Sequence, residues 1–472
     1  MKSSMTVATS TPQTPAVRWA LASLALSMLL SSLGTSIANV GLPTLAQAFE
    51  ATFQQVQWVV IAYLLAITTL IVSVGRLGDI VGRRRLLAGG IGVFTLASIL
   101  CGLAPTLWLL IGARALQGLG AAIMMALTMA FVGDTVAKAR TGSAMGLLGT
   151  MSAIGTALGP SLGGLLIDGF GWRAIFLISV PLGLLTLLLA YRYLPSDRQP
   201  ATTGRAGFDS IGTLLLALTL AAYALAMTLG RGHFGPINIG LLLAAGFGAG
   251  LFVFVESKVD APLIRLAMLR NPLLSASLAM STLVATVMMA TLVVGPFYLA
   301  QALGLDALRV GLVLAVGPCV AALTGVPAGK IADRFGAQRM TVAGLIAMAV
   351  GCLSLALLPQ SLGIAGYAAP MVVLTLGYAL FQTANNTTVM SDVQPDQRGV
   401  ISGMLNLSRN LGLITGATAM GAVFALASQA ADISAAQPET VAHAMHVTFA
   451  VALGLIVVAL YVAPGPDAQN PA

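Results

Sequence analysis

Two arginines lie well inside long apolar segments of this 472-residue sequence, where a charged side chain is unexpected. They are Arg114 and Arg409. Burying a cation in lipid costs about 3 kcal/mol or more, so both side chains are expected to face the protein interior. Two interpretations stay open for each: a role in coupling or substrate binding, or an arginine satisfied by helix carbonyls and by Asn or Gln neighbours.

Side-chain amides in the apolar segments are further groups that can contact a polar part of a substrate. An amide that bonds between membrane helices contributes about 0.6 kcal/mol, so each one is a candidate either for substrate contact or for helix packing. The candidates are Asn39, Gln117, Asn385, Asn386 and Asn406.

Carboxylates are missing from the middle of every apolar segment, although the chain has fifteen Asp and Glu residues. A transported proton is therefore expected to be carried by a carboxylate near a helix end or by the bound substrate. The remaining alternative is that no protein carboxylate carries it. The candidate proton sites are Asp79, Asp134 and Glu256. Because two buried cations lack a buried anion, strongly cationic compounds are disfavoured, and neutral, zwitterionic or anionic substrates are expected.

The composition places these residues in a membrane. Charged residues make up 8% of the chain, apolar residues make up 58%, and the mean hydropathy is +0.94. Soluble domains are about 25% charged, so a soluble enzyme is excluded. Long charge-free runs predict fourteen transmembrane helices, the second over 55–76. The predicted fold class is an all-α membrane protein.

Two six-helix bundles and an inserted helix pair account for the fourteen predicted spans. The predicted layout is a cytoplasmic tail (1–16), a first six-helix bundle (17–194), a cytoplasmic linker (195–207), an inserted pair (208–257), a second linker (258–272), a second six-helix bundle (273–464) and a cytoplasmic tail (465–472). The short loops favour a bacterial inner membrane.

Lys and Arg residues are concentrated on one predicted side of the membrane. In the loops and at the span ends, the other side carries three basic residues, Arg173, Arg231 and Arg309. By the positive-inside rule, both termini are expected in the cytoplasm. The net charge of +8 then reflects topology, and no nucleic-acid partner is expected.

A loop sequence occurs twice. The stretch GRLGDIVGRRR follows the second predicted span, and GKIADRFGAQR aligns with it without a gap after the tenth. Two homologous halves are implied. Each copy either locks one conformation or is an ordinary positively charged turn. The residues expected to gate are Gly75, Asp79, Gly82, Arg83 and Arg84 in the first copy and Gly329, Asp333, Arg334, Gly336 and Arg339 in the second.

The fifth predicted span carries a glycine motif with an internal proline. Its residues are Gly155, Gly159, Pro160, Gly163 and Gly164. Glycines at a spacing of four share one helix face, and proline interrupts the hydrogen-bond ladder. The segment is interpreted as a bendable seal, with close packing without gating as the alternative.

Together these motifs resemble the major facilitator superfamily. RALQGLGAA, from Arg114 to Ala122, is similar to the buried-arginine motif of the family, and the fifth-span glycine motif is similar to the one that marks exporters. WRAIFLISVPLG, which begins at Trp172, resembles the fourteen-helix drug:proton antiporter branch. That branch usually has an Asp in the first helix at the position of Gly34, so the coupling site departs from the family pattern.

The resemblance implies a secondary transporter that exports small amphipathic compounds by alternating access. The proton gradient is the expected energy source, and no bound cofactor or metal is expected. The lipid bilayer is the expected environment. The sequence does not indicate whether the protein has partner subunits. The alternative is a substrate-specific exporter or facilitator of neutral or anionic compounds. An enzyme is not expected, because the sequence holds no catalytic Ser/His/Asp set, H-E-x-x-H or phosphate loop.

Overall fold

The computed structural model describes residues 15–71, 73–135, 141–195, 209–229, 235–259, 266–391, 398–429 and 436–463. Within these ranges the regular elements are all helical, and fourteen helices are long and apolar enough to cross a membrane. The spanning helices are α1 (Pro15–Val40), α2 (Phe53–Leu70), α3 (Arg83–Leu103), α4 (Leu107–Thr135), α5 (Thr141–Phe170), α6 (Ala174–Leu177 and Ser179–Tyr193), α7 (Ser210–Thr228), α8 (Pro236–Glu256), α9 (Pro272–Phe297), α10 (Ala307–Phe335), α11 (Ala337–Leu357), α12 (Gly363–Ser391), α13 (Arg398–Thr415 and Gly421–Ser428) and α14 (Pro438–Val462).

Two spanning helices include wider turns. A π-helical turn, Tyr298–Ala302, extends α9, and another, Gly416–Met420, joins the two parts of α13. Short helices occupy Leu42–Ala48 and Val74–Val81. Because fourteen antiparallel spans bring both chain ends to the same face, we call that face the terminal side and the opposite face the far side.

The helix starts follow local capping chemistry. Thr52 and Gln55 form a reciprocal capping box at the start of α2, which satisfies backbone donors that the helix itself leaves open. The Asp209 side chain accepts from Gly212 N at the start of α7, and the Asn271 side chain caps α9.

Large apolar side chains cover the outer surface where lipid is expected. Examples are Leu188, Leu243, Phe247, Leu323 and Tyr461.

The end of α2 differs from the prediction of a span over 55–76. The helix ends at Leu70, and a separate helix, Val74–Val81, follows. Gly75 and Gly78 weaken a continuous helix, and Ser73 Oγ lies 2.9 Å from Thr213 Oγ1 of α7. The first copy of the repeated loop therefore lies on a short helix, whereas the second copy ends α10, which continues to Phe335.

Glycine contacts repeat between the halves. A Cβ on Gly120 of α4 would clash with Gly90 O of α3, and one on Gly377 of α12 would clash with Gly344 O of α11. In both copies of the repeated loop a helix ends just before a glycine with a positive φ. These glycines are Gly82 (φ 101°) and Gly336 (φ 90°), and this conformation suits glycine. The two halves are therefore built on the same helix packing.

Helices α7 and α8, the predicted inserted pair, are attached to α2 and to the segment that follows it. Trp58 Nε1 of α2 donates to Thr228 Oγ1 of α7 at 3.1 Å on the far side, and the Ser73–Thr213 contact lies on the terminal side. Asn238 of α8 holds the pair together by donating to Ala226 O at 2.7 Å and Leu229 O at 2.8 Å. Helix α7 is thus bonded near one end to α2 and near the other to Ser73, which precedes the short helix Val74–Val81.

The halves share an apolar core on the far side and separate toward the terminal side. The largest buried cluster combines residues of both halves, including Val56 of α2 and Phe297 of α9. A second cluster lies within the first half, around Leu24 and Phe94. A third, around Met404, lies within the second half.

Candidate functional site

Arg114 is fully buried in the first half and bonded to neutral acceptors. Its Nε donates to Val59 O of α2 at 2.9 Å, and its Nη2 donates to Gly34 O of α1 at 3.0 Å. Its Nη1 donates to Gln117 Oε1, one turn along α4. The guanidinium carbon lies 4.1 Å from the centre of the Tyr63 ring, within cation–π range.

The groups around Arg114 connect four helices. Gln117 Nε2 donates to Ser98 Oγ of α3 at 2.8 Å, and Tyr63 Oη donates to Ser31 O of α1 at 2.8 Å. The geometry therefore matches an arginine satisfied by carbonyls and an amide neighbour. Whether Arg114 and Gln117 also take part in coupling stays a prediction.

Gly34 packs closely against the side chains of Tyr63 and Phe94. A Cβ at this position would lie 2.9 Å from Tyr63 Oη and 3.3 Å from the Phe94 ring. The carbonyl of the same residue accepts from Arg114. Tyr63 thus occupies the volume where the related branch is expected to have an aspartate side chain. In this protein a packed tyrosine is found where the carboxylate is missing.

Arg409 lies in the second half, and its surroundings are unlike those of Arg114. It is the twelfth residue of α13, and its side chain is partly exposed. Among the described residues it has no hydrogen-bond, ion-pair or ring partner. Asn406, one turn earlier on the same face, is exposed. These two residues form the polar face of α13.

Exposure along that face decreases from the terminal side to the far side. Leu413 is partly buried, and Ala417 and Met420 are 0% and 2% exposed. An adjoining face of α13 packs on α9, where Thr282 Oγ1 donates to Ser408 O at 3.1 Å. Because Asn and Arg are costly in lipid, we infer that the polar face lines a space between the halves that opens to the terminal side.

Helices α2 and α13 close the far side. Gln57 Nε2 of α2 donates to Ala417 O of α13 at 3.1 Å. The Phe53 ring lies 4.7 Å from the Phe297 ring and 5.4 Å from the Phe424 ring, centre to centre. Neither Gln57 nor Phe53 was a predicted site residue, since each is an ordinary residue at a helix start. Their cross-half partners are 240 or more residues away in sequence.

The glycine motif of α5 has two packing faces. Gly155, Gly159 and Gly163 face α1, where Leu29 O, Ser36 and Val40 are the nearest neighbours. Gly164 and the Pro160 carbonyl face α10 in the other half, against Gly311. The sequence predicted one glycine face. The structure adds a second, which brings the backbones of the two halves into contact on the far side.

The amide candidates fall into separate places. Asn39 Nδ2 donates to Thr35 O at 3.2 Å, and its Oδ1 is buried without a partner in the described structure. Asn385 Nδ2 donates to Ser277 O of α9 at 3.4 Å, a contact between helices. Asn386 accepts from Gln382 at 3.4 Å within α12. The structure therefore does not collect the amides into one cluster.

The repeated loops lie on the terminal side. Arg84 donates to the Tyr191 carbonyl of α6, and its guanidinium lies 5.6 Å from the Tyr191 ring centre. Arg83 is half-buried, Arg334 and Arg339 are exposed, and the side chains of Asp79 and Asp333 lie outside the described part. The gating role of both loops stays a prediction.

One of the three candidate proton sites has a described side chain. Glu256, the last residue of α8, is 3% exposed, and Asp209 before α7 is 8% exposed. A Cβ on Gly212 would lie 2.6 Å from Glu256 Oε1 and 2.5 Å from Asp209 Oδ2. The two carboxylates therefore approach the same point at the base of the inserted pair. The side chain of Asp134 lies outside the described residues.

Comparisons with known proteins agree with the motifs and the fold. Residues 24–417 match the Major Facilitator Superfamily. The riboflavin transporter RibZ of Clostridioides difficile is 31% identical over 405 residues, covering 85% of this chain and 87% of RibZ. The multidrug efflux pump LfrA of Mycolicibacterium smegmatis is 32% identical over 423 residues, covering 88% of this chain and 82% of LfrA.

A solved structure shows the same fold. The crystal structure of a bacterial homologue of the human lysosomal transporter Spinster, in an inward-facing and occupied conformation, superimposes with a TM-score of 0.70 at 15% identity. It covers 98% of this chain and 100% of the Spinster homologue. With fourteen spanning helices and relatives that transport small molecules, this multi-pass membrane transporter belongs to the Major Facilitator Superfamily.

Proposed function

We propose that the protein exports small amphipathic compounds across a bacterial inner membrane by alternating access, with both termini in the cytoplasm. The observation that carries this proposal is the asymmetric contact between the halves. Gly164 of α5 and Gln57 of α2 contact the second half on the far side, while the polar face of α13 is exposed toward the terminal side. A compound then enters from the cytoplasm and leaves when the far-side contacts open.

The far-side contacts give this proposal a direct test. In a cysteine-free background, Gln57→Cys and Ala417→Cys are joined with a short bifunctional thiol reagent, and export of a fluorescent amphiphile is measured in proteoliposomes. Cross-linking is expected to stop export, because the far side cannot open.

The matched control joins two positions within the first half. Ser32 Oγ of α1 lies 2.7 Å from Ser152 Oγ of α5, so Ser32→Cys and Ser152→Cys are cross-linked in the same way. Export is expected to continue, because these helices move together. Undiminished export after cross-linking of Gln57→Cys to Ala417→Cys contradicts alternating access through the far side.

We further propose that export is driven by the proton gradient without a bound cofactor, and that Glu256 is the first carboxylate to test. Glu256 is the candidate carboxylate whose side chain is described, and it is buried with Asp209 approaching the same point. Proteoliposomes with an internal pH dye should report proton movement on addition of substrate, and Glu256→Gln should abolish it. Substrate-triggered proton flux that survives in Glu256→Gln excludes this carboxylate.

A second candidate function is a substrate-specific exporter or facilitator that is not coupled through a membrane carboxylate. The packing of Tyr63 against Gly34 favours it, because a glycine stands at the first-helix position that usually carries the coupling carboxylate and Tyr63 packs against it. The relative RibZ transports riboflavin, while LfrA is a multidrug pump. Transport that continues after the proton gradient is collapsed would support the facilitator and contradict proton-driven export.

A further inference from the structure

Arg409 is a cation in a spanning helix that has no partner among the described residues. We propose that it binds the anionic group of the transported compound, so that the preferred substrates are amphiphiles with a carboxylate or phosphate. This inference rests on the proposed export function and specifies its substrate class. The planar guanidinium presents paired donors that match either oxyanion.

The position of Arg409 leaves its guanidinium available. Neighbouring positions on α13 make the contacts that hold the helix: Ser408 Oγ donates to Leu278 O of α9 at 3.0 Å, and Gly412 packs against Thr282 O. Arg409 and Asn406 lie on the face that is exposed on the terminal side. Packing on α9 therefore uses Ser408 and Gly412, and the partly exposed Arg409 lies beside that contact without a polar partner among the described residues.

Among the described residues, no carboxylate lies at this depth to neutralise Arg409. The described carboxylates of the spanning helices lie at or near helix ends, such as Glu256 at the end of α8 and Asp168 near the end of α5. The other cation within a span, Arg114, is fully bonded to neutral groups. A substrate anion is thus the group that completes the pairing of Arg409.

The repeat shows that the fold does not require a cation here. Gly412 packs on α9 as Gly155 packs on α1, and the residue three positions earlier is Arg409 in α13 and Ser152 in α5. Ser152 is small, neutral and bonded to Ser32. The arginine is therefore an addition to the shared architecture, as expected for a residue that selects substrate.

The test compares one anion with its neutral analogue. Binding of pyrenebutyrate and pyrenebutanamide to the purified full-length chain in detergent at neutral pH is followed by energy transfer from its four tryptophans. The wild type should bind the carboxylate about tenfold more tightly than the amide, the preference expected for a hydrogen-bonded charge pair. Arg409→Gln should remove the preference while keeping amide binding, and Arg409→Lys should keep part of it.

A charge-matched control is Arg309→Gln, which removes an exposed cation paired with Asp306 on the far side. It should leave the preference intact. An unchanged preference in Arg409→Gln, or equal loss of both compounds, contradicts the inference. If the wild type binds both compounds equally, the anion site is wrong and export of amphiphiles stands. If the wild type binds neither and exports no amphiphile, the proposed function fails as well.

Discussion

Arg114 in the first half and Arg409 in the second are both cations within spanning helices, yet their surroundings have little in common. Arg114 is 0% exposed and donates to two backbone carbonyls and an amide. Arg409 is partly exposed and has no partner in the described chain. The same side-chain type thus holds helices together in one half and is left without a polar partner among the described residues in the other.

The shared glycine contacts show which position of the second half corresponds to Arg114. Six residues before Gly120 lies Arg114, and six residues before the matching Gly377 lies Met371, which is 4% exposed. The second half therefore fills the place of the buried arginine with an apolar side chain. Neither arginine is copied between the halves, so each was placed separately on a common scaffold.

The largest expected effect on stability is that of Arg114→Met, which gives the first half the residue of the second. Three donors are lost and Gln117 loses a partner, so the free energy of unfolding should fall by about 3 kcal/mol or more. Thermal unfolding in detergent measures this. Met371→Leu, the matched change in the second half, should cost less than about 1.5 kcal/mol. Similar melting temperatures for the two variants would break the comparison.

A smaller loss is expected when the missing carboxylate is put back. In Gly34→Asp, the new Cβ lies 2.9 Å from Tyr63 Oη, and the overpacking should cost about 1–3 kcal/mol. Adding Tyr63→Phe removes the hydroxyl oxygen and should recover part of the loss. The melting temperatures of the two single variants and the double variant measure the coupling. Simple additivity would mean that Tyr63 does not occupy the space of the absent side chain.

Gly164→Val should affect transport far more than stability. Its side chain would enter the contact with Ala307 and Gly311 of the other half, so the far side can no longer close. Export should fall about tenfold or more, which corresponds to raising the free energy of the closed state by about 1.4 kcal/mol. The melting temperature should change little. Gly169→Ala, where no neighbour lies within 4 Å, is the control. Normal export by Gly164→Val would argue against a far-side seal.

The smallest effect on stability is expected for Arg409→Ser, which gives the second half the residue found at Ser152. No hydrogen bond, ion pair or ring contact among the described residues is lost, so the free energy of unfolding should change by less than about 0.5 kcal/mol. Thermal unfolding checks this alongside Arg114→Met. A large loss of stability would mean that Arg409 is structural, like Arg114.

Much of the fold could be predicted from the sequence, because the bilayer requires long apolar helices. The fourteen spans and the repeated loop follow from hydropathy and from the alignment of Gly75–Arg85 with Gly329–Arg339. The end of α2 at Leu70 was not predicted, since the break depends on local glycines and on Ser73 meeting Thr213 of a distant helix.

The candidate site was predicted less completely. The sequence treats Arg114 and Arg409 alike, because both are cations in apolar runs. Two partners of Arg114 are the backbone carbonyls of Val59 and Gly34. Because every residue has a carbonyl, the sequence does not show which ones a side chain will contact. Tyr63 was missed, although a tyrosine deep in an apolar span is a signal that its hydroxyl has a partner. Asp209 was missed as a neighbour of Glu256, since the inserted helices bring them together.

Chemical labelling separates the two arginines. Phenylglyoxal, which modifies accessible guanidinium groups, is added to inside-out membrane vesicles, and labelled peptides are quantified by mass spectrometry with exposed Arg192 as the positive control. Arg409 should be labelled and Arg114 protected, and labelling of Arg409 should be slower in right-side-out vesicles. Labelling of Arg114 at the rate of Arg409, or protection of both, would contradict the assignment of a locked cation to the first half and an available one to the second.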